Sequence, residues 1–111
     1  MNIDSEERNG IVVLSIKEER LDAHNSVDLK ALLLEHFQKG HKNILIDLKD
    51  VRFIDSSGLG ALVSGFKNAI SNQGSLKLSS LQTQVRSMFE LTRLHRVFEI
   101  FQSSTEAIEN F

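Results

Sequence analysis

The 111-residue sequence contains no cysteine. A disulfide framework and a thiolate metal site are therefore both excluded. Proline is absent too, so it marks neither loops nor helix kinks. The opening residues, Met1-Asn2-Ile3-Asp4-Ser5-Glu6-Glu7, lack the basic-then-apolar profile of a secretory signal. The longest apolar runs, such as Ile11 to Leu14, fall far short of the ~20 residues that a membrane-spanning helix needs. A cytoplasmic protein with no membrane partner is expected. Nor is there an excess of positive charge. Lys and Arg total 13 against 15 Asp and Glu, a formal net charge of −2. A nucleic-acid-binding domain would be markedly basic, so no nucleic-acid partner is expected.

What is present has the make-up of a soluble globular protein, with 41% hydrophobic and 25% charged residues. The length suits one domain over residues 1–111 with a single core. No linker, low-complexity tract or internal repeat interrupts it.

Asn9-Gly10 separates Ile3–Arg8 from the apolar run Ile11–Ile16. Asn-Gly supplies the positive φ angles of a tight hairpin, so two antiparallel strands are predicted first. A helix follows from a cap at Asn25 or Ser26 to about Lys39, with Gly40 as its stop. Lys42 to Leu48 reads as a strand covered on both faces. A second helix is predicted from about Ser57 to Asn72, a strand at Leu76 to Leu78, and a third helix from Gln82 to Arg93. Val97 to Phe101 reads as the last strand, and Ser103-Ser104-Thr105-Glu106 has the spacing of a capping box that opens a short terminal helix. The predicted order is β-β-α-β-α-β-α-β-α. That is an α/β fold: a mixed, mainly parallel sheet with an N-terminal antiparallel hairpin and about four helices.

The chemistry concentrates in Phe53-Ile54-Asp55-Ser56-Ser57-Gly58-Leu59-Gly60. At 3.6 residues per turn, Leu59, Leu62, Val63, Phe66 and Ile70 share one stripe and are expected against the sheet. Ser57, Ala61, Ser64 and Asn68 share the opposite side, flanked by Gly60 and Gly65. The expected outer face is smooth, small and almost uncharged. Glycine inside a helix costs about 0.5–1 kcal/mol relative to alanine, so two on one helix point to something approaching its backbone, most simply a partner protein. Asp55, Ser56 and Ser57 precede this helix, where unpaired N–H groups favour an anion. Capping by Asp55 or Ser56 accounts for part of this polarity.

Other chemistries fit less well. A hydrolase nucleophile elbow needs glycine two residues before the serine, where Ile54 stands. His24, His36, His41 and His95 are scattered, and neither an H-x-x-x-H spacing nor a carboxylate cluster brackets one face. No catalytic residue, metal or cofactor is expected. A phosphoaspartate receiver with Asp47 or Asp55 as acceptor would open with a βα unit rather than a hairpin. Arg86, Arg93, His95 and Arg96 read as a solvated face. The first helix carries Leu29, Leu32, Leu33 and Phe37 on one stripe but Val27, Ala31 and Leu34 on the other; a monomer or weak homodimer is expected.

Asp55-Ser56-Ser57-Gly58-Leu59-Gly60, entering a helix after an apolar strand, resembles the STAS domain shared by anti-sigma factor antagonists and sulphate transporters. Leu21-Asp22 before the first helix, Ile44-Leu45-Ile46-Asp47-Leu48 with Val51-Arg52-Phe53-Ile54, Leu76-Lys77-Leu78 and Val85-Arg86-Ser87-Met88-Phe89 extend the likeness along nearly the whole chain. Where related antagonists often carry glycine before the Leu-Asp pair, this chain has Lys17-Glu18-Glu19-Arg20. The resemblance implies a non-enzymatic partner switch. The unphosphorylated protein would bind an anti-sigma factor that is also a serine kinase, release it on phosphorylation of Ser56, and be reset by a serine phosphatase. It also implies that Asp22 lies beside the serine loop, with Asp55, Ser57, Gly58, Gly60, Ala61 and Ser64 at the partner surface. Ser57 is then expected mainly to cap and position the helix. The alternative implied by the family is a scaffold subunit of a transporter or lipid-trafficking complex, or a partner switch with an output other than a sigma factor.

Overall fold

A computed structural model describes all of residues 1–111. Asn9 and Gly10 adopt φ of 54° and 78° and close a hairpin between β1 (Ile3–Arg8) and β2 (Ile11–Ile16), with Arg8 opposite Ile11. Strand β1 is exposed along almost all its length, as a charged edge strand should be, whereas β2 is almost wholly buried. From β2 the sheet continues in parallel through β4 (Asn43–Asp47), β6 (Ser75–Ser79) and β7 (Ile100–Phe101), in the order β1-β2-β4-β6-β7. Helices α1 (Ser26–Gln38), α2 (Ser56–Ser71) and α3 (Thr83–Leu91) are the crossovers, and α4 (Ser104–Glu109) follows β7. The mixed sheet, hairpin and four helices agree with the sequence expectation.

Side chains alternate across each strand and divide the interior in two. Val12, Leu14, Ile16, Ile44, Ile46, Leu76 and Leu78 meet the buried residues of α1, α2 and α3 in the main core. Ile11, Val13 and Leu45 pack beneath Ala107 and Ile108 of α4 in a smaller one. Lys77 also faces this side; it is buried, with its ammonium 3.2 Å from Glu99 and 4.8 Å from the Phe111 ring centre. Ser103 caps α4 by accepting from the Glu106 N–H at 3.1 Å, as its spacing predicts.

Several boundaries and faces differ from expectation. Two strands of two residues each, β3 (Arg20–Leu21) and β5 (Phe53–Ile54), pair in parallel away from the main sheet. The last strand starts at Ile100 rather than Val97, because Arg93 turns left-handed (φ 62°) and Leu94–Arg96 form a 3-10 turn. Helix α2 is buried on two sides, against the sheet and against α1, which shifts its register relative to a single apolar stripe. Ala61, Gly65 and Ala69 are consequently buried, and Ile70 is 60% exposed rather than facing the sheet. A Cβ on Gly65 would lie 2.6 Å from Leu33 Cδ1. The close approach that this glycine permits is therefore made by α1, within the chain. On α1 the two stripes are as read: Leu29, Leu33 and Phe37 are buried, while Val27 and Leu34 are exposed.

Candidate functional site

The site is assembled where β2 and β4 end. These strands are parallel neighbours, so the segments that follow them emerge at the same end of the sheet, the usual place for sites in such folds. The pair β3–β5 then fixes their relative position, with Leu21 in register with Ile54. The Asp55 N–H donates to the Leu21 carbonyl at 3.3 Å, extending this pairing by one step.

Asp55 is the N-cap of α2. Its Oδ1 accepts from the Gly58 N–H at 3.0 Å, and its carbonyl accepts from the Leu59 N–H at 3.0 Å. Ser56 and Ser57 are thus the first two residues of the helix. The expectation that Ser57 caps the helix is corrected: the carboxylate of Asp55 already fills that role. Ser56 is exposed and Ser57 half-buried, and neither hydroxyl has a hydrogen-bond partner within the chain. The first N–H groups of α2 point out past them.

Gly58 is explained by packing. It is buried, and a Cβ there would run into the Leu21 carbonyl oxygen and approach Ile54 Cγ1 at 2.8 Å. The first turn of α2 is thereby pressed onto the backbone of β3. Gly60 is different: it is exposed, and a Cβ would meet nothing within 4 Å. Of the expected partner surface, Ser57, Gly60 and Ser64 reach solvent, whereas Gly58 and Ala61 are buried. Ala61 forms the floor of a shallow cleft between α1 and α2 that is lined by Ser26, Val27, Lys30, Ser57 and Gly60. Val27, on its rim, is 69% exposed.

Asp22 follows Leu21 directly and so lies next to the serine loop by register. Its side chain is committed within its own turn. Oδ1 accepts from the His24 N–H at 3.0 Å, and Oδ2 accepts from Arg20 Nε at 3.2 Å. Asn25 takes the expected N-cap position of α1, but its side chain does not cap that helix. Instead its Oδ1 accepts from the Asp22 N–H at 2.9 Å, and its amide donates to the Arg20 carbonyl at 2.8 Å. The hydrogen bond from His24, and secondarily the Arg20 guanidinium, hold the Asp22 carboxyl below its ordinary value.

Arg20 reaches the other way as well, lying 4.2 Å from the ring centre of Phe53, which is 42% exposed. This stack, and the Leu21 carbonyl that requires Gly58, were not visible as sequence signals. Two-residue strands have no periodicity to read, and no sequence spacing pairs Arg20 with Phe53. No group of three or more His, Asp or Glu side chains converges anywhere in the chain, and no helix is long and apolar enough to cross a membrane. The chemistry on offer at the site is an accessible hydroxyl at a helix N-terminus, beside two carboxylates and a flat surface of small residues.

Residues 2–107 match the STAS domain. The anti-sigma-B factor antagonist of Bacillus subtilis (strain 168) is 29% identical over 109 residues, covering 98% of each chain. That of Listeria monocytogenes is 34% identical over 80 residues, covering 72% of this chain and 70% of that one. The crystal structure of TM1081 from Thermotoga maritima superposes with a TM-score of 0.89 at 28% identity, covering 97% of this chain and 92% of that one. With its family model matched over residues 2–107 and its fold shared with that structure, the chain belongs to the STAS domain family.

Proposed function

We propose that this protein is an anti-sigma factor antagonist that works as a phosphorylatable, non-enzymatic binding module. Unphosphorylated, it binds an anti-sigma factor that is also a serine kinase. The kinase transfers a phosphoryl group to the hydroxyl oxygen of Ser56, the complex separates, and a serine phosphatase restores the hydroxyl. The observation that carries this reading is the Ser56 hydroxyl itself, exposed and unpartnered on the first turn of a helix already capped by Asp55. The relatives named as anti-sigma-B factor antagonists support the partner class.

The electrostatics support release without refolding. A phosphate adds about −1.5 to −2 charge and three acceptor oxygens. In the free protein the outward N–H groups and dipole of α2 tolerate that charge, worth about 0.3–1 kcal/mol each at a helix N-terminus. In a complex, the phosphate is stripped of water next to Asp55 and Asp22, and both desolvation and like-charge repulsion oppose binding. A loss of ~3 kcal/mol weakens a complex about a hundredfold. The docking surface is the exposed Gly60 and the half-buried Ser57 and Ser64 with the rim of the α1–α2 cleft; Gly58 and Ala61 set its shape from below, and Asp22 holds the adjoining turn.

The test is incubation with the cognate kinase and ATP, followed by mapping of the modified peptide. Phosphate is expected on Ser56; phosphate confined to Ser57 would sink the assignment. Ser56→Asp is expected to unfold at the wild-type urea midpoint but to bind the kinase about a hundredfold more weakly. Unchanged binding would remove the charge mechanism.

A further inference from the structure

The four histidines are dispersed in sequence, but two of them meet. Helix α1 ends in a Schellman motif. The Gly40 N–H donates to the Phe37 carbonyl and the His41 N–H donates to the His36 carbonyl, both at 3.1 Å, with Gly40 left-handed at φ 91°. This motif sets the residue three before the cap beside the second residue after it, a pairing that commonly joins two apolar side chains. Here both positions are histidine. Their Nδ1 atoms stand 2.9 Å apart, with ring centres 5.1 Å apart.

We infer that His36 and His41 form a two-imidazole chelate for a divalent transition-metal ion that accepts nitrogen donors at right angles, the Cu²⁺ and Ni²⁺ class. Metal–imidazole bonds are about 2.0–2.1 Å. Two nitrogens 2.9 Å apart at that bond length subtend about 90° at the ion. That is the cis angle of square-planar and octahedral centres, and it is tighter than the tetrahedral angle of structural zinc. The backbone, rather than side-chain packing alone, sets the spacing, because two main-chain hydrogen bonds and the turn at Gly40 close the loop that carries both rings. Without metal, one Nδ1 donates its hydrogen to the other. On binding, the donor imidazole changes tautomer: its proton leaves Nδ1 to solvent and another is taken up at Nε2, so both Nδ1 lone pairs face the ion and both rings stay neutral. With two protein ligands, water or a partner group fills the other positions. The site lies at the end of α1 where β4 begins, the opposite end of the sheet from Ser56, so it is separate from the proposed phosphorylation surface.

The test is titration of the full chain with Ni²⁺ and with Cu²⁺ alone, read by calorimetry and by electron paramagnetic resonance of the copper form. One equivalent is expected, with hyperfine coupling to two imidazole nitrogens. His36→Gln and His41→Gln should each weaken binding at least about tenfold, since losing a direct ligand costs no less than losing its supporting partner. His24→Gln/His95→Gln should bind as the wild type does. Because a variant at His36 could also loosen α1, a second measurement uses the unaltered protein: substoichiometric Ni²⁺ should broaden the ring resonances of His36 and His41 and spare those of His24 and His95. Full-strength binding by the His36→Gln/His41→Gln double variant, or broadening confined to His24 and His95, would overturn the inference.

Discussion

Gly60 is the glycine of α2 whose added methyl would meet nothing within 4 Å, whereas one on Gly58 would strike the Leu21 carbonyl. The two therefore separate folding from binding. Gly60→Ala is expected to stabilise the protein by about 0.5–1 kcal/mol through helix propensity and, on the proposed function, to weaken kinase binding, because the methyl would stand on the proposed docking surface. Gly58→Ala is expected to destabilise it by about 1–3 kcal/mol, the usual range for overpacking. Urea unfolding and a binding titration on both variants check the contrast; a Gly60→Ala variant that binds normally would take that position off the interface. Asp22 offers a test by pH. Its carboxyl is held below the ordinary value of 3.8, first by the His24 N–H and then by Arg20. The folded state thus binds the proton less readily than the unfolded chain, and its stabilisation is fully present above about 3.8 and lost as pH falls through the lower folded value. Asp22→Asn is expected to be less stable than the wild type at neutral pH, with the gap narrowing in acid. A gap that stays constant in urea midpoints down to acid pH would deny Asp22 this part.

At the scale of elements, α2 owes its start to one side chain. Asp55→Ala is expected to cost about 0.5–2 kcal/mol, the range for loss of an N-cap, with a lower urea midpoint and nearly unchanged far-ultraviolet circular dichroism. A midpoint equal to that of the wild type would mean that Ser56 or Ser57 takes over the cap. The strands and helices themselves were legible because their signals are local: Asn9-Gly10 for the hairpin, Ser103 to Glu106 for α4, Gly40 for the end of α1. The faces of α2 were less so. A single-stripe reading assumes one buried side, but α2 packs on both the sheet and α1. Small residues therefore mark a second buried face, and Gly65, which was read as room for a partner, is room for Leu33. In the same way the four histidines looked unrelated until the turn at Gly40 brought two of them together.

At the scale of the whole molecule, alternation of strand and helix was enough to imply a parallel sheet, and hence that the turns after β2 and β4 share one end. What it did not contain was the β3–β5 pairing, which brings Asp22 against the Asp55 loop through four residues in all. That small clamp also has a temporal consequence. Ser56 stands on a helix start held from one side by the Leu21 carbonyl and from the other by the Asp55 carboxylate, so the loop that presents its hydroxyl is already tied at both ends. Under the proposed switch, the lifetime of each state would then belong to the enzymes that write and erase the phosphate. On that proposal the protein would serve as a memory element whose retention time is set from outside, and its concentration would fix how many such events are stored.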